Sequence, residues 1–332
     1  MLSPAPLRRF LWIVLFGGLI AALYADAQHG APVIGAIVGA SIGATLFSLE
    51  RFVLRRNAGA LFRRLPFLPY LALRSLLYVG VLFVISAAVN WLLTPNGLIV
   101  SFNQADFLFS LLLVVGGNLL FGVNDLLGPG VLFAFVAGRY YQPRIEERAL
   151  LFIDMRASTA IAERLGELRF FDVLNRFITD VSLAIAEYGG EVHKYVGDEV
   201  IATWKLAPGA SQAGCVSACF AALDRLASRG PAYEREFGLR ADFRAALHCG
   251  PVVVGELGYL KKEIALIGDT VNTTARIEQA CRDTGHRVLA SAVLLERLAA
   301  LPAGVTRRAL GPLPMRGKER ALDLYALEAG GG

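Results

Sequence analysis

Four uncharged apolar runs, each near the length of a bilayer crossing, fill the first part of this chain and have no counterpart in the rest. They cover Phe10–Ala25, Ala31–Leu49, Ser75–Leu93 and Phe107–Val123. A helix that spans a hydrocarbon core needs about 20 apolar residues, so runs of this length predict membrane helices. The 332 residues are 55% hydrophobic and only 18% charged, too apolar for one ordinary soluble domain. Residues 10–137 carry the excess, while 144–332 have the mixed charge of a globular domain.

The arginines give the expected orientation. Arg8 and Arg9 precede the first run, and Arg51, Arg55, Arg56, Arg63 and Arg64 crowd the loop after the second. Residues 26–30 and 94–106 contain no Lys or Arg. Four spans with both ends cytoplasmic satisfy this positive-inside pattern. A secretory leader ending near Ala25–Ala27 is disfavoured because a second span follows at once. Val131–Ala137 is too short for a fifth span and is preceded by Gly128-Pro-Gly130. The basic loop accounts for most of the net charge of +5, so nucleic acid is not an expected partner. Gly35, Gly39 and Gly43 form a small-residue stripe for close helix packing, within the chain or between copies. His29 reads as a polar turn residue rather than a haem ligand. Cys215, Cys219, Cys249 and Cys281 lack zinc-ligand spacing and suit reduced thiols.

The organisation that follows is a membrane domain over 1–124, a coupling linker over 125–148, and a catalytic domain over 149–328. In the last, Ala149–Ile153 reads as a strand, Ser158–Tyr188 as a helix and Gly190–Trp204 as a hairpin. Ser211–Arg229 reads as a helix, Leu239–Cys249 as a strand and Pro251–Glu256 as a turn or strand. Thr270–Arg282 and Ser291–Leu298 read as helices, Arg287–Ala290 as a strand, and Val305–Leu327 as strands. The alternation and the hairpins predict an α+β sandwich with one open sheet face.

Chemistry concentrates in three segments. Asp154 ends the run Leu150-Leu-Phe-Ile-Asp154, and Asp198 lies in Val196-Gly-Asp198. A carboxylate at the end of a buried strand is costly unless paired, and two brought together suit hard divalent cations on a nucleotide's phosphates. Either Asp alone would read as a turn or a cap. There is no Gly-x-x-x-x-Gly-Lys-Ser/Thr loop, so phosphates must be held by metal and basic side chains. The third segment, Ala265-Leu-Ile-Gly-Asp-Thr-Val-Asn272-Thr-Thr-Ala-Arg276, puts Asn272 and Arg276 on one helix face. Asn can hold a ribose oxygen and Arg can stabilise phosphoryl charge. The plainer alternative is a capped helix whose Arg276 pairs locally with Glu278 or Asp283.

Asp154, Lys194, Asp198, Asn272 and Arg276, in this order, resemble the class III adenylate/guanylate cyclase catalytic domain over about residues 148–328. His248-Cys-Gly250-Pro-Val-Val-Val-Gly255-Glu-Leu-Gly258 resembles that family's histidine-glycine turn. The resemblance implies a ferredoxin-like α+β sandwich that dimerises head to tail with two sites at the interface. Asp154 and Asp198 of one copy would bind two Mg²⁺ or Mn²⁺ ions, with the backbone carbonyl of Ile153 or Met155. Asn272 of the other copy would orient the ribose, and Arg276 would stabilise the transition state. Arg316 or Lys318 would hold the terminal phosphate. Lys194 falls where adenylate cyclases read adenine, so ATP is the implied substrate. Ala265 departs from the family's Asp or Thr for adenine and from its Cys for guanine. Ala157 stands where the family usually has Gly. The implied protein is a membrane-bound homodimeric adenylate cyclase making cyclic AMP. A guanylate cyclase, a diguanylate cyclase suggested by Val196-Gly-Asp-Glu-Val200, and a receptor with a silent cyclase-like domain are the competing readings. Asn272 and Arg276 would have no role in the diguanylate reading.

Overall fold

The computed structural model describes residues 4–49, 66–93, 104–127, 138, 140–206, 213–313 and 321–330. The arginine loop at 51–64, the apolar stretch Val131–Ala137, and both Arg316 and Lys318 lie outside the described residues. Two compact units divide between Leu127 and Gly128.

The first unit contains helices α1 (Pro4–His29), α2 (Pro32–Leu49), α3 (Phe67–Leu93) and α4 (Gln104–Leu127). Four spans were expected. Three segments, Phe10–His29, Pro32–Leu49 and Leu68–Ala88, are long and apolar enough to cross a membrane. The fourth helix contributes a shorter apolar segment, Gln104–Leu120. The glycine stripe of α2 is buried against α1 of the same chain, so close that a Cβ at Gly39 would collide with the Gly17 carbonyl. Helices that lack a hydrophobic drive to associate in lipid gain from such close backbone contact.

Polar side chains are more deeply placed here than the run boundaries suggested. α3 starts eight residues earlier than the expected span, which brings Arg74 inside it at 5% exposure, donating to Tyr78 (3.0 Å) and Tyr70 (3.2 Å) hydroxyls. Asp106, 6% exposed, accepts from the Tyr24 hydroxyl at 2.8 Å and lies 3.0 Å from His29 Nε2. The expected turn residue His29 is therefore tied to α4.

The second unit is built on a mixed sheet of eight strands: β1 (Arg144–Met155), β2 (Glu191–Val196), β3 (Glu199–Lys205), β4 (Phe243–Leu257), β5 (Glu263–Ile267), β6 (Val288–Ser291), β7 (Val305–Leu313) and β8 (Leu322–Ala329). Their order is β2-β3-β1-β4-β6-β8-β7, with β5 on β4. β1 and β4 pair antiparallel along their whole shared length, and among the described residues only β4–β6 is parallel. The helices are α5 (Ser158–Leu165), α6 (Glu167–Glu187), α7 (Gly214–Phe237), α8 (Asp269–Thr284) and α9 (Ala292–Glu296).

Side-chain alternation along β1 assigns the two faces. Ala149, Leu151, Ile153 and Met155 pack with Val173, Phe177, Val181 of α6 and Cys215, Val216, Cys219 of α7. Leu150 and Phe152 pack the other way, with Ile277 and Cys281 of α8. The second face, expected to be open, is thus partly roofed by α8. Asp154 follows Leu150 and Phe152 in the alternation and emerges beneath that helix. Between α6 and α7, fully buried Asp180 accepts from Tyr233 (3.0 Å) and pairs with Arg229.

Several boundaries differ from expectation for visible reasons. The single helix expected over Ser158–Tyr188 breaks at Gly166, whose φ of 76° no α-helix accommodates. Leu239–Cys249 and Pro251–Glu256 merge in one strand, β4, because Pro251 faces Glu147 in a continuous ladder. Gly250 allows this close packing: a Cβ there would meet Thr270 Oγ1 of α8 at 2.8 Å. The hairpin partner β5 was not anticipated.

Ala157 is the one described non-glycine residue with positive φ, at 57°, and it opens α5. Glycine has no Cβ to strain there, whereas alanine costs about 1–2 kcal/mol in this conformation. Ala157→Gly should therefore raise the thermal midpoint, by about 1–4 °C once glycine's greater unfolded-chain freedom is subtracted. Differential scanning fluorimetry of the detergent-solubilised chain reads this directly, and a lowered midpoint would contradict the strain assignment.

Candidate active site

Asp154 is the last residue of β1 that pairs on both sides, opposite Glu199 of β3 and Arg244 of β4. Asp198 is presented by a two-residue loop, Gly197-Asp198, closed by the Val196–Glu199 pair. Gly197 has φ 63°, the glycine-first geometry that matches hairpin twist. The loop turns Asp198 back toward the end of β1, close enough for its charge to act on Asp154.

From above, α8 adds Glu278 and Arg282. Arg282 Nη2 lies 3.0 Å from Asp154 Oδ2, and Arg282 Nε donates to Glu278 Oε1 at 3.0 Å. Asp154 and Glu278 are each 7% exposed. Four carboxylates, Asp154, Asp198, Glu199 and Glu278, thus face two guanidiniums, Arg244 and Arg282. Burial first, then the charges of Asp198 and Glu278, push Asp154 up to about 6, against the pull of Arg282 and Arg244. Glu199 rises to about 7, again by burial first and then by Glu278 and Asp154.

An excess of carboxylate oxygens with partial burial is a donor set that suits Mg²⁺ or Mn²⁺. Among the described residues no three His, Cys, Asp or Glu side chains converge as a preformed metal cage. The fit is therefore to ions held by two carboxylates and completed by backbone carbonyl, water and phosphate, as Mg²⁺ commonly is. Ile153 is paired to both β3 and β4, whereas Met155 has a partner in β4 alone.

Asn272 and Arg276 lie on the first half of α8, with Asn272 exposed. Arg276 does not make the local pairing that the plainer reading required. Glu278 is taken by Arg282, and Asp283 accepts from Gln279. Arg276 Nη1 is buried without a hydrogen-bond partner among the described residues. A buried orphan donor costs about 1–3 kcal/mol, and a group that pairs it would recover this. Arg276 is six residues, about 9 Å along the helix axis, from Arg282 at Asp154.

Lys194 is exposed on β2, just past a register shift between Val192 and Lys194. Burial, then Lys194, lowers its neighbour His193 to about 4, while Glu263 of β5 opposes the shift. That influence puts the start of β5 near the Lys194 strand. Ala265 follows two residues after Glu263, opposite Gly255 and 9% exposed. Reading the sequence missed Glu199, Arg244, Glu278 and Arg282. The i,i+4 pair Glu278/Arg282 was visible as a helix pair, but nothing in the sequence showed that it meets Asp154.

Ionisation of Asp154 counts against folding, because the folded protein holds this proton more tightly than the unfolded chain. The cost is absent below the ordinary value of 3.8 and complete above about 6. In EDTA, Asp154→Asn should therefore gain stability over the unsubstituted protein as pH rises through this window, by on the order of 1–3 kcal/mol. Paired thermal melts from about pH 4 to 7 measure the difference, and a difference that shrinks with pH would refute the assignment.

Comparison with known proteins follows the same segments. Residues 140–329 match the family described as the Adenylate and Guanylate cyclase catalytic domain. Over 311 residues the chain is 35% identical to Adenylate cyclase 2 of Rhizobium meliloti (strain 1021), covering 91% of this chain and 85% of that one. It is 27% identical over 184 residues to an adenylate cyclase of Anabaena cylindrica, covering 54% of this chain and 36% of that one. Among solved structures it superposes on a bacterial light-regulated adenylyl cyclase with a TM-score of 0.57 at 21% identity, covering 71% of this chain and 68% of that chain.

Proposed function

The chain belongs to the adenylate and guanylate cyclase family, and on that premise we propose that it is a membrane-bound homodimeric adenylate cyclase. It converts ATP to 3′,5′-cyclic AMP and pyrophosphate. The observation that carries this reading is Asp154, nearly buried beside Asp198, Glu199 and Glu278 with too little positive charge to neutralise it.

Asp154 and Asp198 would hold two Mg²⁺ or Mn²⁺ ions, with the backbone carbonyl of Ile153 or Met155. Bound there, the ions supply Lewis acidity that lowers the pKa of the ribose 3′-hydroxyl and offsets phosphate charge. The 3′-oxygen attacks the α-phosphorus, its bond to pyrophosphate breaks, and the hydroxyl proton leaves to solvent. Asn272 of the second copy fixes the ribose so that the 3′-oxygen is in line. Arg276 of that copy stabilises charge on the pentavalent phosphorus, which gives its orphan Nη1 an anionic partner. Arg316 or Lys318 grips the terminal phosphate.

Lys194 reads adenine as a hydrogen-bond donor on the exposed face of β2. Ala265 cannot bond the exocyclic amine, so this contact falls to a backbone carbonyl of β5. A guanylate cyclase is the second reading, favoured only by the loss of an adenine-type side chain at Ala265. The name of the Rhizobium meliloti relative and Lys194 both support ATP.

The membrane unit over 1–124 anchors the enzyme in lipid, with the N-terminus and the catalytic domain over 149–328 cytoplasmic, on the side of the arginine loop. Residues 125–148 couple the two. The last of them enter the catalytic sheet directly, since β1 starts at Arg144. Arg148, 2% exposed, ties this entry to Glu146, Glu191 and Tyr140.

Purified protein with Mn²⁺ and either ATP or GTP, analysed by mass spectrometry, should yield cyclic AMP with little cyclic GMP. Asp154→Ala or Asp198→Ala should abolish turnover, and Arg276→Ala should lower kcat by about 10²–10³-fold. Cyclic GMP as the main product would transfer the assignment to guanylate cyclase. No cyclic product from a folded dimer would refute the enzyme reading.

A further inference from the structure

Arg282 has no task in the reaction as assigned. The Arg282 guanidinium reaches Asp154 Oδ2 with Nη2 and Glu278 Oε1 with Nε, both at 3.0 Å. Its two partners are each 9% exposed at the side chain, while Arg282 is 46% exposed. The head group therefore sits where a cation from solvent would meet Asp154, with its outer side open. One carboxylate oxygen cannot give its full charge to a guanidinium and to a divalent ion together. Nor can two cations share that space without strong repulsion.

Glu278 lies four residues before Arg282 on the same helix, so its bond to Nε closes a local ring on α8. Arg282 can release Asp154 by rotating outward and still keep a buried anionic partner. Lysine or arginine elsewhere near the site would lack this second anchor. Arg244, the other positive neighbour, stands opposite Asp154 on the adjacent strand.

We propose, building on the metal reading above, that Arg282 is a tethered counter-ion for Asp154 which the divalent ion must displace. Arg282 is thus a positioning residue. It holds the carboxylate in place in the metal-free enzyme and sets the metal concentration at which the site loads. Its charge makes the site selective in a simple sense: monovalent cations offer no advantage over the guanidinium already in place.

The test is Mn²⁺ binding to the full chain in detergent without nucleotide, followed by calorimetry and by loss of the free-Mn²⁺ electron paramagnetic resonance signal. Arg282→Gln is expected to bind Mn²⁺ about tenfold more tightly than the unsubstituted protein, because a repelling unit charge is removed. Arg282→Lys, which keeps the charge, should stay nearer the original affinity. In EDTA, Arg282→Gln should melt lower than the unsubstituted protein, and saturating Mn²⁺ should bring the two midpoints together. Should Arg282→Gln fail to fold, Arg282→Met keeps the apolar stem and reads the same competition. Unchanged or weaker Mn²⁺ binding on loss of the charge, with Asp154→Asn still abolishing binding, overturns the role of Arg282 alone. If Asp154→Asn leaves Mn²⁺ binding unchanged, or the unsubstituted protein takes up none, the metal reading fails and this proposal fails with it.

Discussion

A carboxyl group at the end of a buried strand, with like charges around it, is the constraint on which the rest of this catalytic domain depends. Asp154 follows a run of buried apolar residues in β1 and is itself only 7% exposed. Its environment makes ionisation harder through burial and like charge, then partly easier through Arg244 and Arg282. A purely structural strand end would carry a residue that costs nothing there. The proposed divalent ions would supply the positive charge that this arrangement lacks. Each element that touches Asp154 serves this: β3 and β4 fix its register, the Gly197-Asp198 loop returns a second carboxylate, and α8 brings a provisional cation.

α8 has two tasks on one stretch of helix. Ile277 and Cys281 bury its inner face against Leu150 and Phe152, which fixes its position on the sheet. With the helix anchored, its last turn meets Asp154 of its own chain, while Asn272 and Arg276 lie on earlier turns and do not pair locally. The reaction needs an oriented ribose and a charge-stabilising arginine at a metal site. The proposed site shared between two copies would supply this without bending the helix. On the proposed shared site, the orphan guanidinium nitrogen of Arg276 would find its anionic partner in the nucleotide.

Much of this was legible in the sequence because it rests on local patterns. The unbroken apolar run Ala149–Ile153 marked the core of β1, which begins earlier at Arg144, and the glycine before Asp198 marked the hairpin. Apolar runs gave the first three membrane helices. Long-range pairing was less legible. Nothing local says that Pro251 continues a strand, since proline in a ladder depends on which side faces its neighbour. The break at Gly166 was hidden because the apolar spacing on either side suits one helix. The site divided in the same way. Asp154 and Asp198 stand out by motif, whereas Glu199, Glu278 and Arg282 read as ordinary surface charges until the fold brings them together. In the membrane unit, Arg74 and Asp106 fell at the margins of uncharged runs, and only the helices themselves place them inside.

The central claim is that each active site draws Asp154 and Asp198 from one copy and Asn272 and Arg276 from the other. Co-expression of differently tagged Asp154→Ala and Arg276→Ala chains, with mixed dimers isolated through both tags, tests it most directly. Asp154→Ala alone should be inactive and Arg276→Ala alone should be about 10²–10³-fold slowed, while the mixed dimer holds one site with all its residues. The account expects the isolated mixed dimer to recover about half the activity of the unsubstituted dimer, as two-fold symmetry requires when one of two equivalent sites is restored. Confirmed mixed dimers without recovered turnover would contradict the shared site, and with it the reading of α8.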